Sequence, residues 1–259
     1  MRFVATVALL LALSSPPAFS EQTLNVRVAD YAPIYFQQNE KWTGVDVELA
    51  EAIIKDAGFS ANYINFPWSR ALNALETGEI HVMLNFARSK DREAFSHFVG
   101  PTRTSKRILV VHRDNVGLKI NNIDELADTA KRLKQRVCIL ANVKHSKEFD
   151  DRLASDRAFA EQFQVSAQNE TFAKMVGSKR CLGFFGDVEF LRYRIKTDPD
   201  FKDLAIHPFT VTVNQVYLGI TKKLDAASVK KLDDSFKRLE ANGTLAKIRA
   251  KWGAEKIAE

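Results

Sequence analysis

The sequence predicts an α/β protein folded as two units of similar size, and three observations carry that prediction. Apolar residues alternate along short segments with the two-residue period of strands, separated by longer segments with the 3.6-residue period of helices. The alternation runs through once, breaks at a polar stretch, and begins again beyond Ile108. Two amphipathic helices then close the chain, with no low-complexity linker ahead of them. A chain of 259 residues, 46% hydrophobic and 27% charged, is long enough and apolar enough to bury the cores this needs.

Each element follows in order. Residues 24–28 alternate apolar and polar, as a half-buried strand does. Gly44 opens a helix over 45–57 that sets Val45, Leu49, Ala50, Ile53, Ile54 and Ala57 on one face, and Gly58 closes it. A strand over 62–66, a helix over 68–77 and an apolar strand over 80–85 complete the first unit. The second opens with a short strand over 108–111 and a helix over 123–133. A strand over 137–140 and a helix-rich stretch over 147–162 come next, then a strand over 165–168 and a helix over 171–178. A strand over 181–185 leads to a helix over 188–195, stopped by Asp198-Pro199. A strand over 213–220 and helices over 226–241 and 244–251, split by Asn242-Gly243, finish the chain.

The first twenty residues stand apart. Arg2 is followed by an apolar run from Phe3 to Leu13, then Ser14-Ser15-Pro16-Pro17 and the small-residue ending Ala18-Phe19-Ser20. A charged start, a short apolar run, helix breakers and small residues describe a secretory signal peptide, with cleavage expected after Ser20. The run is too short for the ~20 apolar residues of a membrane-spanning helix. No cysteine follows that point to take a lipid.

Most chemical signatures are missing. The chain holds no dinucleotide fingerprint, P-loop, H-E-x-x-H or G-x-S-x-G. Its five histidines are scattered without metal-ligand spacing, so no metal site is expected. Ser228 and Lys231 match S-x-x-K only by chance, on a charged amphipathic helix. The net charge of +6 is spread out, and its densest cluster, Lys131 to Arg136, ends a predicted helix where cations suit the dipole. No aromatic series runs through a basic stripe, so nucleic acid is not an expected partner. Cys138 and Cys181 both fall in predicted strands of the second unit. In an oxidising compartment they either bridge or stay as two buried thiols too far apart to bond.

Motifs in order along the chain carry a resemblance. Asp30-Tyr31-Ala32-Pro33 is followed by Gly44-Val45-Asp46-Val47-Glu48-Leu49-Ala50, then by Leu75-Glu76-Thr77-Gly78-Glu79-Ile80. Ser89-Lys90-Asp91-Arg92 precedes Phe98-Val99-Gly100-Pro101, and Asn242-Gly243-Thr244 precedes Lys251-Trp252. Together they cover almost all of the chain beyond the predicted leader, and the whole resembles the bacterial extracellular solute-binding proteins of family 3. The resemblance implies the type 2 periplasmic binding protein fold: two α/β lobes with mainly parallel sheets, joined by two hinge strands. It divides the chain into a leader over 1–20, a first lobe over 21–107, a second over 108–213, and a hinge return with closing helices over 214–259. It implies a periplasmic monomer, free of cofactors, that hands a polar amino acid or similar solute to an inner-membrane ABC permease.

The resemblance also implies roles. Arg92 stands where the family grips the ligand carboxylate, as a planar guanidinium can with two parallel hydrogen bonds. Asp187 stands where an aspartate holds the ammonium, and Trp68 and Tyr31 where aromatic rings wall the ligand. Read from the residues alone, the alternatives are a helix-surface charge for Arg92, a helix cap for Asp187, and packing for Trp68 and Tyr31. Around Arg92 the pattern departs: Asn85, Phe86 and Ala87 replace small hydroxyl residues, and the stretch is one residue shorter. Asn142-Val143 replaces a Gly-Thr/Ser turn, and Thr102 a frequent Tyr. Arg70 adds a cation able to read an anionic end of a ligand. Two other roles remain open on the same fold: presenting ligand to a membrane sensor, or dehydratase chemistry with Asp187 or Glu189 as acid.

Overall fold

The computed structural model describes residues 22–254, so the predicted signal peptide lies outside the described residues. One eight-stranded sheet runs through the molecule. At one end β1 (Thr23–Val28) lies between β4 (Ser60–Asn65) and β5 (Val82–Ala87), all parallel. At the other, β7 (Arg136–Leu140) lies between β8 (Phe163–Ser166) and β9 (Cys181–Asp187), again parallel. Two long antiparallel strands join the ends: β6 (Ser96–His112) and β10 (Leu204–Thr221), giving the order β4-β1-β5-β10-β6-β9-β7-β8.

Helices cover both faces at each end, which is why the strands read as near-continuous apolar runs. At the first end α1 (Val45–Asp56), α9 (Ala226–Ala241) and α10 (Thr244–Trp252) pack Leu49, Ile53, Leu232, Phe236 and Leu245 on Leu24, Val26 and Leu84. The opposite face is covered by α2 (Trp68–Thr77) through Ala71, Ala74 and Leu75. At the second end α4 (Ile123–Leu133) and α5 (Lys147–Ser155) bury one face, around Leu126 and Phe149. The other lies under α7 (Phe172–Gly177) and α8 (Val188–Thr197). Within 108–111 the alternation is visible: Leu109 and Val111 enter one core, Ile108 and Val110 the other.

The predicted bounds of α2, α4 and α9 coincide with the structure. The segment 147–162 resolves into α5 and a short α6 (Arg157–Ala160), divided where Asp156 accepts the Phe159 N–H as a cap. The strand expected over 165–168 lies two residues earlier, as β8; Val165, 56% exposed on this edge strand, gave a misleading apolar signal. Short elements absent from the predicted order include the hairpin of β2 (Phe36–Gln38) and β3 (Lys41–Thr43) and the one-turn α3 (Lys90–Glu93).

The short strands expected over 108–111 and 213–220 are only parts of the much longer β6 and β10. Within β6 the polar run Thr102, Arg103, Thr104 and Ser105 is nonetheless buried. Cys138 on β7 and Cys181 at the start of β9 are joined by a disulfide, with Cα atoms 6.1 Å apart, a spacing such a bridge accommodates. This settles the open alternative in favour of the bridge.

Candidate functional site

Strand period fixes the first half of the site. Arg103, Ser105 and Arg107 are alternate residues of β6 and so share one face of the sheet. Arg107 pairs in register with Asp187, the last residue of β9, which sets an opposite charge across the ladder. Arg107 Nη2 lies 3.8 Å from Asp187 Oδ2. Ser105 donates to Oδ1, while Asn85 Nδ2 and Tyr31 Oη each donate to Oδ2 at 3.2 Å. Burial alone would raise the Asp187 pKa; Arg107 and Arg103, then the bonds from Ser105 and Asn85, reverse that and hold it below the ordinary value.

Asn85 extends this network. Its backbone is left-handed, with φ of 52°, a conformation Asn tolerates better than most residues. Its Oδ1 accepts from Arg103 Nη2 at 3.2 Å, and Arg103 grips Asp46 with bonds of 2.6 and 3.1 Å. Asp46 reaches Arg103 because Gly44, with φ of 119°, turns the chain into α1; a Cβ there would lie 2.5 Å from the Ile34 carbonyl oxygen. Burial works against the charge on Arg103, and Asp46 more than offsets it, so the guanidinium titrates above its usual range.

Arg92, on α3, is 4% exposed and stacks on Phe86, its Cζ 4.4 Å from the ring centroid, and on Trp68 at 5.4 Å. Phe86 has room because β10 carries Gly219, where a Cβ would meet the ring at 2.3 Å. Arg92 donates to the carbonyls of Ala87 at 2.8 Å and Asn142 at 3.2 Å. Trp68 Nε1 donates to that same Asn142 carbonyl at 3.2 Å, so the two ends of the molecule meet over a left-handed residue with φ of 61°. Among the described residues no carboxylate lies within ion-pair distance of Arg92; Asp91 and Asp150 act on it only at longer range. Lys144 of the second half meets Asp91 of the first at 2.6 Å.

Between these groups lies a small cavity open to solvent at its mouth, to which both ends of the molecule contribute walls. Of the residues expected at a site, Trp68, Asn85, Ala87 and Arg92 line it. Asn142 stands beside it through its carbonyl. Tyr31 and Asp187 sit behind the wall, joined to each other, and Asp187 is fully buried. Arg70 is exposed, its Cζ 5.2 Å from the Phe66 ring centroid, outside the lining. Ser105, Arg107, Lys144 and Asn214 line the cavity and were missed by sequence reasoning. Residues 102–107 are polar without exception, so no apolar alternation marks Arg103, Ser105 and Arg107 as sharing a face.

The sequence pattern described as bacterial extracellular solute-binding proteins, family 3, matches residues 24–255. The chain belongs to that family. Its relatives include the arginine-binding extracellular protein ArtP of Bacillus subtilis (strain 168), 20% identical over 237 residues, covering 86% of this chain and 83% of ArtP. The probable amino-acid-binding protein YxeM of the same organism is 24% identical over 228 residues, covering 87% of this chain and 81% of YxeM. A histidine kinase sensor domain with similarity to periplasmic binding proteins superposes with a TM-score of 0.76 at 20% identity. That superposition covers 92% of this chain and 99% of the sensor domain, so this family 3 chain has the two-lobe type 2 fold.

Proposed function

We propose that this protein is exported, captures a small carboxylate-bearing solute, an amino acid first among them, and presents it to an inner-membrane ABC permease. The observation that carries this reading is Arg92: a buried guanidinium at a cavity between two lobes, held in place by stacking and two carbonyls, with no carboxylate of its own among the described residues. A buried cation without an anion is costly, and a ligand carboxylate supplies the missing partner. The names of ArtP and YxeM support the amino-acid class.

In this reading residues 21–107 and 214–259 form one lobe and 108–213 the other, hinged in β6 and β10. Opening parts Trp68 and Arg92 from Asn142, and Tyr31 from Asp187. Ligand then favours the closed form only through contacts made there. The role is binding without turnover.

A thermal-shift panel of amino acids, amines and carboxylates tests the reading. A true ligand at ~100 times its Kd stabilises by ~2.7 kcal/mol, which is roughly 5–10 °C for a chain this long. Arg92→Ala abolishes the shift and leaves a folded protein. If no carboxylate moves the melt the reading is wrong, and turnover of a ligand seen by mass spectrometry replaces it with an enzyme.

A further inference from the structure

The cavity wall is one-sided in charge. Arg92, Arg107 and Lys144 line it together with Ser105, Asn85 and Asn214, and no carboxylate is among the lining residues. Lys144 is already held by Asp91. Arg107 is not held in this way: its side chain is 18% exposed, and its approach of 3.8 Å to Asp187 is too long for a hydrogen bond. Among the described residues the Arg107 guanidinium makes no hydrogen bond at all, so its five N–H donors stay unspent at the cavity.

A basic amino acid would need an anion at the cavity for its side-chain cation, and Asp187 is not among the lining residues. Asp187 has no exposed surface, and its oxygens are engaged by Ser105, Tyr31 and Asn85. Positive potential also comes from behind Trp68, where Arg27 is 4% exposed and stacks over the indole at 5.5 Å. Arg27 donates to the Phe66 carbonyl and the Tyr35 hydroxyl, and among the described residues no carboxylate lies within ion-pair distance of it. Arg92 and Arg107 repel one another as well: burial first, then Arg107, bring the Arg92 pKa down to about 10. An anion with two charged ends placed between them relieves that repulsion.

Resting on the reading of this cavity as the solute site, we propose that its ligand carries two carboxylates, one taken by Arg92 and the second by Arg107. The class is a short diacid, either an acidic amino acid or a plain dicarboxylate. Arg107 is then the residue that sets specificity, selecting against amides and basic amino acids of similar length.

Calorimetric titration of the purified protein with L-glutamate, succinate, L-glutamine and L-arginine tests this. At least one diacid is expected to bind about tenfold or more tightly than glutamine and arginine. Arg107→Gln should lower that diacid's affinity about tenfold, and Arg107→Lys should recover part of it. Unliganded melting temperatures, read alongside, separate lost affinity from lost fold. Succinate against L-glutamate tells a plain diacid from an acidic amino acid. Tighter binding of glutamine or arginine than of both diacids, or a diacid affinity unchanged in a folded Arg107→Gln protein, overturns the inference and leaves the carboxylate site standing. Failure of every carboxylate to bind instead overturns the reading on which it rests.

Discussion

The phenol of Tyr31 and Asp187 exchange two hydrogen bonds: the hydroxyl donates to carboxylate Oδ2 and accepts from the Asp187 backbone N–H, each at 3.2 Å. They lie 156 positions apart, in the two halves of the molecule. Burial, then the Asp187 charge, raises the Tyr31 pKa well above its usual value, so the hydroxyl keeps its proton. The ring stacks on Phe190 with centroids 4.1 Å apart, giving this polar contact an apolar backing.

Tyr31→Phe keeps the stack and removes both bonds. It leaves a buried N–H and one carboxylate oxygen short of a partner, which costs about 1–3 kcal/mol. Urea unfolding followed by tryptophan fluorescence should show the midpoint fall. An unchanged midpoint would mean the pair contributes nothing to the fold.

The bridge from Cys138 to Cys181 closes a loop with a sequence separation of 43. Loops of this size bring ~2–4 kcal/mol by restricting the unfolded chain. The Cys138→Ala/Cys181→Ala protein should lose that much in urea, and the parent should lose a like amount under reductant. Thiol titration of the unreduced, unfolded protein should find no free sulfhydryl.

His145 is 6% exposed, lies edge-on to Phe149 and Phe185 with centroids 5.0 and 5.1 Å away, and has no hydrogen bond at either ring nitrogen. Burial, then the charge of Arg107, pushes its pKa down to about 3, while Asp150 accepts only its backbone N–H. The unfolded chain takes up this proton near the ordinary histidine value of 6.5 and the fold does so only near 3, so the unfolded chain binds more protons in between. Stability should therefore fall as pH drops through that interval, by up to about 1.4 kcal/mol per pH unit from this group. His145→Phe fits the aromatic surroundings and should flatten the slope between about pH 4.5 and 7. Parallel slopes in the two proteins would count against the assignment.

Periodicity made the covered ends of the sheet legible, because a strand buried on both faces and an amphipathic helix each leave an apolar pattern. It did not make the middle legible. Thr102, Arg103 and Ser105 are buried with their polar groups in hydrogen bonds or an ion pair, so they leave no apolar pattern and fell outside every predicted strand. The family resemblance singled out Arg92 and Trp68, and both line the cavity. Arg107 was not singled out, because its meaning comes from the register that sets it opposite Asp187. Nothing local in the chain encodes that pairing, and the same is true of the Asn142 carbonyl that Trp68 and Arg92 share.

The return of the chain through β10 has a consequence for how the protein is made. The buried members of the second pair of cores all fall between Ile108 and Val211, whereas the core around α1 also needs Leu218 to Leu245. As a growing polypeptide emerges from its N-terminus, the later-encoded half therefore holds its whole hydrophobic complement before the earlier-encoded half does. Until α9 and α10 arrive, α1 and the strands beneath it present an uncovered apolar face, and that interval is when a chaperone has the most to shield.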